Sequence, residues 1–124
     1  RSASAAHSLF VPAADTATDS WVRSPAVTLD DTFQGSLRLV FDQYSTTEAN
    51  FDGVLCEIQV DGGSWQDITT YGSFLSGGYT GALFSDRVEG ESFEVPNIPN
   101  PLAGRPAWHG RSGGWLTCTP IVSV

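Results

Sequence analysis

The sequence predicts an all-β fold built from short antiparallel strands, and three observations carry that reading. Thirteen Gly and seven Pro are spread along 124 residues, which opposes long helices and favours many turns. Residues 54–60 read as an alternating run, with Val54, Cys56, Ile58 and Val60 on one side and Glu57 and Gln59 on the other. Asp61-Gly62-Gly63 then supplies the positive φ angles of a tight reversal, and Trp65 opens a partner strand over residues 65–70.

The remaining elements follow in order. Residues 1–7 are small and polar, like the start of a mature chain, a cloning remnant or the remnant of a cleaved leader. Residues 8–11 form a short strand closed by Pro12, so residues 1–12 read as an N-terminal arm on a single domain spanning 1–124. Residues 21–29 form two strand pieces broken at Pro25, which cannot donate to a ladder. Asp30-Asp31-Thr32 turns the chain. Residues 36–44 form a strand in which Leu37, Leu39 and Phe41 alternate with Arg38, Val40 and Asp42.

Short strands are expected at 82–84 and 92–95. Between 96 and 106 four of eleven residues are Pro, which makes that loop stiff. A Gly-rich loop joins Trp108 to Trp115. Residues 116–124 make a last strand, with an expected interruption at Pro120.

Charge excludes several function classes. The net charge is −8, Lys is absent, and the six Arg form no run. No basic patch is present to displace counterions from nucleic acid or to hold an anionic membrane. No apolar stretch approaches a membrane span. Without Lys, Schiff-base chemistry and Lys-to-Asn crosslinking are excluded. No nucleophile elbow, zinc-type His pair or phosphate loop is present.

The two Cys, Cys56 and Cys118, lack metal-type spacing. Both fall on the apolar side of an expected strand, which favours a disulfide. Such a bridge would stabilise the fold by roughly 4 kcal/mol. Two separate buried thiols are the alternative.

At this point the order of residues resembles a known family. Trp21 followed by Ser24-Pro25-Ala26-Val27-Thr28-Leu29 is the first part of the pattern. Leu37-Arg38-Leu39-Val40-Phe41-Asp42-Gln43-Tyr44, Thr47-Glu48, Asp52-Gly53 and Glu57-Ile58-Gln59-Val60-Asp61-Gly62-Gly63-Ser64-Trp65 continue it. Tyr79-Thr80-Gly81, Asn100-Pro101-Leu102-Ala103-Gly104-Arg105-Pro106-Ala107, Gly110 and Ser112-Gly113-Gly114-Trp115 complete it. Together they resemble the MAM-like or galactose-binding-like jelly-roll modules of secreted bacterial proteins, found beside M6 (immune-inhibitor A type) metallopeptidases.

The resemblance implies a jelly-roll-like antiparallel β-sandwich and an extracellular or cell-surface location. It also implies a non-catalytic recognition or adhesion role, often with structural calcium. In the family a segment like 116–124 is followed by further strands, one of them ending in a Gly-Trp-x-x-Asp-Asp type segment that helps complete the metal site. This chain stops at Val124, before them.

The candidate site residues divide by chemistry. Glu48 and Asp52, with Asp31 or Asp42 as neighbours, are hard oxygen ligands of the kind calcium takes. A solvated acidic loop is the plain alternative. A glycosidase carboxylate pair lacks any other hydrolase feature to support it. Trp108, Trp115 and Tyr79 lie in loop-like stretches and are candidates for binding a glycan or protein, although a Trp near a strand end more often fills a core. His109 is a lone imidazole in a Gly loop.

The leading expectation is therefore a non-enzymatic recognition module. The alternative is a self-assembling subunit of a filament or surface layer, in which residues 8–11 are donated to an open sheet edge of a neighbouring copy. A third is an accessory domain of a larger enzyme.

Overall fold

The computed structural model describes residues 8–12, 18–30, 32–84 and 100–123. Among them nine short strands form: β1 (Leu37–Arg38), β2 (Phe41–Gln43), β3 (Gly53–Val54), β4 (Glu57–Ile58), β5 (Gln66–Asp67), β6 (Gly72–Ser76), β7 (Gly81–Ala82), β8 (Pro106–His109) and β9 (Leu116–Val122). A 3-10 turn, Ile68–Thr70, is the only helical element among the described residues. Every strand pairing is antiparallel.

β9 is the centre of the larger sheet. It holds β1 and β2 on one side and β6 on the other. β1 and β2 keep a single register against it. Leu37 faces Val122 and Arg38 faces Ile121; further along, Phe41 faces Cys118 and Gln43 faces Leu116. The strand expected over 36–44 is thus present, but its ladder is broken at Leu39 and Val40. The cause lies in the partner strand. Leu39 N–H donates to the Pro120 carbonyl at 3.1 Å, and Pro120 has no N–H to return the bond. β9 itself runs through Pro120 without a break, so the expected interruption falls in its neighbour instead. On the far side, the β6 register slips between Phe74 and Ser76.

The run 54–60 is not one strand. Its first part is β3, which pairs with β8, and its middle is β4, which pairs with β5. One alternating segment therefore serves two ladders, and Val54 is exposed rather than turned to the core. The reversal after it forms as expected. Asp61 and Gly62 have φ of 50° and 73°, and Gly63 N–H donates to the Val60 carbonyl at 2.9 Å. Two consecutive positive φ values match the twist of a hairpin.

The core is aromatic at its middle. Trp108, on β8 of the three-stranded sheet β3-β8-β7, is 2% exposed. Its ring centroid lies 5.8 Å from Phe41, 5.4 Å from Phe74 and 4.6 Å from Tyr79, all at steep interplanar angles. Edge-to-face contact sets each ring's positive edge against a negative face. Phe41 and Phe74 belong to the β9 sheet, so Trp108 fastens the two sheets together in a sandwich-like arrangement. Behind β8, a side chain at Gly53 would press on Ala107 and Leu83, so β3 must carry Gly there.

The N-terminal part departs from expectation. No strand forms at 8–11 or within 21–29. These stretches find no ladder partner, and Leu9, Phe10, Val11, Trp21, Val22 and Val27 are all exposed. The Asp30 turn does form: its carboxylate accepts from Thr32 N–H at 2.8 Å, and Phe33 N–H donates to the Asp30 carbonyl at 2.8 Å. The strand expected at 92–95 lies outside the described residues.

Candidate binding surface

The loop carrying Glu48 and Asp52 is organised by its backbone. Thr47 N–H donates to Gly110 O at 3.1 Å, and Gly110 N–H returns a bond to Thr47 Oγ1 at 2.9 Å. Asn50, at φ 69°, donates its N–H to His109 Nδ1 at 3.2 Å and accepts from Phe84 N–H at 2.7 Å. His109 is therefore a local acceptor that fixes the loop. Asn100 adds a second pin, donating from Nδ2 to Phe51 O at 2.8 Å and to Phe84 O at 3.2 Å.

The side chains of Glu48 and Asp52 remain exposed. Asp42 instead accepts from Thr117 Oγ1 at 2.5 Å. Asp31 lies outside the described residues. Among the described residues no three His, Cys, Asp or Glu side chains are grouped to hold a metal ion.

The disulfide is a correction. Cys56 and Cys118 are both free thiols. Cys118 is buried on β9, while Cys56 lies between β3 and β4, where Tyr79 engages its backbone. Burial, then the charges of Asp67 and Glu57, together push the Cys56 thiol up to about 11. Cys118 is likewise pushed up to about 11, by burial, then Asp42, then Cys56. Both stay protonated at neutral pH, so neither is an activated nucleophile.

Two of the three candidate aromatics are built into the interior. Trp108 has no face open to a ligand; its indole N–H donates to Gly77 O at 2.8 Å. Tyr79 is half-buried. Its hydroxyl accepts from Cys56 N–H at 2.9 Å and lies 3.1 Å from both Cys56 O and Asp67 Oδ2. Burial is the main reason its hydroxyl titrates well above the usual tyrosine range. The backbone hydrogen bond at Cys56 opposes that shift, and the Asp67 charge adds to it. Beside it, Arg105 pairs with Glu57 at 2.8 Å and lies 3.8 Å from Asp67. This group ties the β4-β5 hairpin to the start of β8.

Trp115 differs. Alternation past the Gln43 and Leu116 pair turns Tyr44 and Trp115 to the side opposite Phe41 and Cys118. Their centroids are 5.9 Å apart at 58°, and they are 45% and 37% exposed. The loop before Trp115 is held from both ends. Ser112 N–H donates to Ser45 O at 3.0 Å, Ser45 N–H donates to Ser112 Oγ at 3.1 Å, and Ser112 Oγ donates to Gly114 O at 2.6 Å. Gly110 and Gly113 supply the positive φ values, both 73°. Ser8, Leu9 and Phe10 complete a groove of about 380 Å³ with the two rings. In the sequence Tyr44 reads only as the end of a strand; the register places it beside Trp115.

The chain matches no protein-family model, no curated protein and no solved structure. No helix among the described residues is long and apolar enough to cross a membrane.

Proposed function

We propose that this chain is a non-catalytic extracellular recognition or adhesion module that takes a glycan or protein ligand on the surface formed by Tyr44 and Trp115. One observation carries the reading: two half-exposed aromatic rings sit side by side on a loop already fixed by Ser45 and Ser112. Rigid aromatic surface that needs no ordering on binding is what recognition sites use, since little conformational entropy is then lost. The likeness to MAM-like jelly-roll modules supports a jelly-roll sandwich, a place outside the cell and calcium as a stabilising ion near Glu48 and Asp52. The test is a glycan array and a pull-down with the chain and its Trp115→Ala variant. A ligand lost about tenfold or more in the variant is expected. Absence of any ligand in both assays, or one that Trp115→Ala leaves unchanged, overturns the reading.

A second reading has its own support. Leu9, Phe10 and Val11 are exposed, Phe10 at 80%, while residues 8–10 line one groove with Tyr44 and Trp115. In a self-assembling subunit the arm of one copy fills this groove, or adds to an open strand edge, on the next. Light scattering across concentrations decides it: assembly lost on deleting residues 1–12 is expected, and a strict monomer at all concentrations rules it out.

A further inference from the structure

We propose that Trp21, Arg23 and Trp65 form a carboxylate-binding clasp for the acidic end of an otherwise neutral saccharide. The guanidinium carbon of Arg23 lies 4.7 Å from the Trp65 ring centroid and 5.3 Å from that of Trp21. The two indoles come from distant parts of the chain. Trp21 belongs to the strandless N-terminal stretch, and Trp65 leads into β5 after the Asp61-Gly62 turn. An arginine that meets a ring with the flat face of its guanidinium keeps its N–H donors, which lie in the plane, free for other partners.

No carboxylate among the described residues pairs with Arg23. Arg38 and Arg111 likewise have no carboxylate partner among the described residues, and what sets Arg23 apart is its seat over two indole rings. Arg105, by contrast, has two carboxylates within 4 Å. Arg23 thus sits against two rings, is exposed, and has no carboxylate partner among the described residues. The planar fork of a guanidinium matches a carboxylate with two parallel hydrogen bonds.

The surroundings define the rest of the ligand. Trp21 is 78% exposed, so indole surface remains beside the fork. Such a surface suits the C–H face of a sugar ring, which is apolar on one side and hydroxylated at its rim. The net charge of −8 opposes a polyanion. A saccharide bearing one acidic residue keeps the short-range pairing and avoids most of that repulsion. This site shares no residue with the Tyr44 and Trp115 groove, so it extends the recognition reading without resting on that surface.

The experiment titrates the full chain with sialyllactose and with lactose, followed by tryptophan fluorescence and calorimetry. The acidic sugar is expected to bind about tenfold or more tightly than the neutral one. Arg23→Gln is expected to remove that difference, and Arg23→Lys to keep only part of it, because an ammonium lacks the fork. Trp21→Ala weakens both sugars, whereas Trp115→Ala changes neither. Since Arg23 and Trp21 are exposed, thermal unfolding curves of these variants should match the parent. Equal binding of the two sugars, no binding of sialyllactose at millimolar concentration, or a preference that survives Arg23→Gln overturns the proposal. A short neutral peptide with a free C-terminal carboxylate that binds as tightly as sialyllactose overturns its assignment to a saccharide.

Discussion

The indole N–H of Trp108 donates to the carbonyl of Gly77 at 2.8 Å, and each residue is required by the packing around the other. Gly77 sits at φ 64°, and a side chain there would run into the Thr117 carbonyl. Trp108 fills the space between the two sheets against Phe41, Phe74 and Tyr79.

Trp108→Ala is expected to cost about 3–5 kcal/mol through cavity formation. Trp108→Phe costs less, about 1–3 kcal/mol, as the Gly77 carbonyl loses its donor and part of the ring volume goes. Gly77→Ala also destabilises, because the left-handed backbone and the close approach act together. Urea midpoints for the three variants test this, and a Trp108→Ala midpoint equal to the parent's would refute the role given to Trp108.

Tyr79 and Arg105 sit in one polar group but contribute unequally. Tyr79→Phe leaves the Cys56 amide without its acceptor and Asp67 without the phenol, a cost of about 1–3 kcal/mol. Arg105→Met removes a pair whose side chains are each 33% exposed, so about 1 kcal/mol or less is expected. Salt should reduce the Arg105 effect and leave that of Tyr79 nearly unchanged. Equilibrium unfolding at low and high salt separates the two, and a salt-sensitive Tyr79 effect would contradict the assignment.

The thiols predict a stability loss on the alkaline side. Their ordinary value is 9.0, and both are raised to about 11 in the folded chain. The folded state therefore keeps its protons where the unfolded chain has begun to release them. This contribution is complete below about pH 9 and is lost as pH rises toward about 11. Denaturation midpoints between pH 7 and 11 should fall over that window, and Cys118→Ala should flatten the fall. A thiol reagent at neutral pH should leave Cys118 unmodified until the chain unfolds, then label both cysteines without prior reduction. Fewer than two reactive thiols in the unfolded, unreduced chain would mean that a bridge had formed.

Some of this was readable from the residues and some was not. Asp61-Gly62-Gly63 announced its turn because the two positive φ angles are a property of those residues themselves. The alternation at 36–44 announced a strand for the same local reason. The break at Leu39 and Val40 was hidden, because it comes from a missing N–H on Pro120, some eighty positions along the chain. The split of 54–60 between β8 and β5 was equally hidden, since alternation says which side chains share a face but not which neighbour they meet.

Site residues followed the same division. Trp108 and Trp115 flank one Gly-rich loop and look alike in sequence, yet one is sealed between sheets and the other is half-exposed beside Tyr44. Cys56 and Cys118 share an apolar pattern but are not bonded. Arg23 carried no signal at all until Trp65 arrived beside it. Composition, turn chemistry and period-two alternation depend on neighbours along the chain, so the residues alone determined the all-β class, the hairpin turn and the acidic, Lys-free surface. Burial, register and pairing depend on contacts between distant segments. Only the tertiary structure could decide which aromatics face solvent, which described cation lies against aromatic rings, and where a ligand can reach.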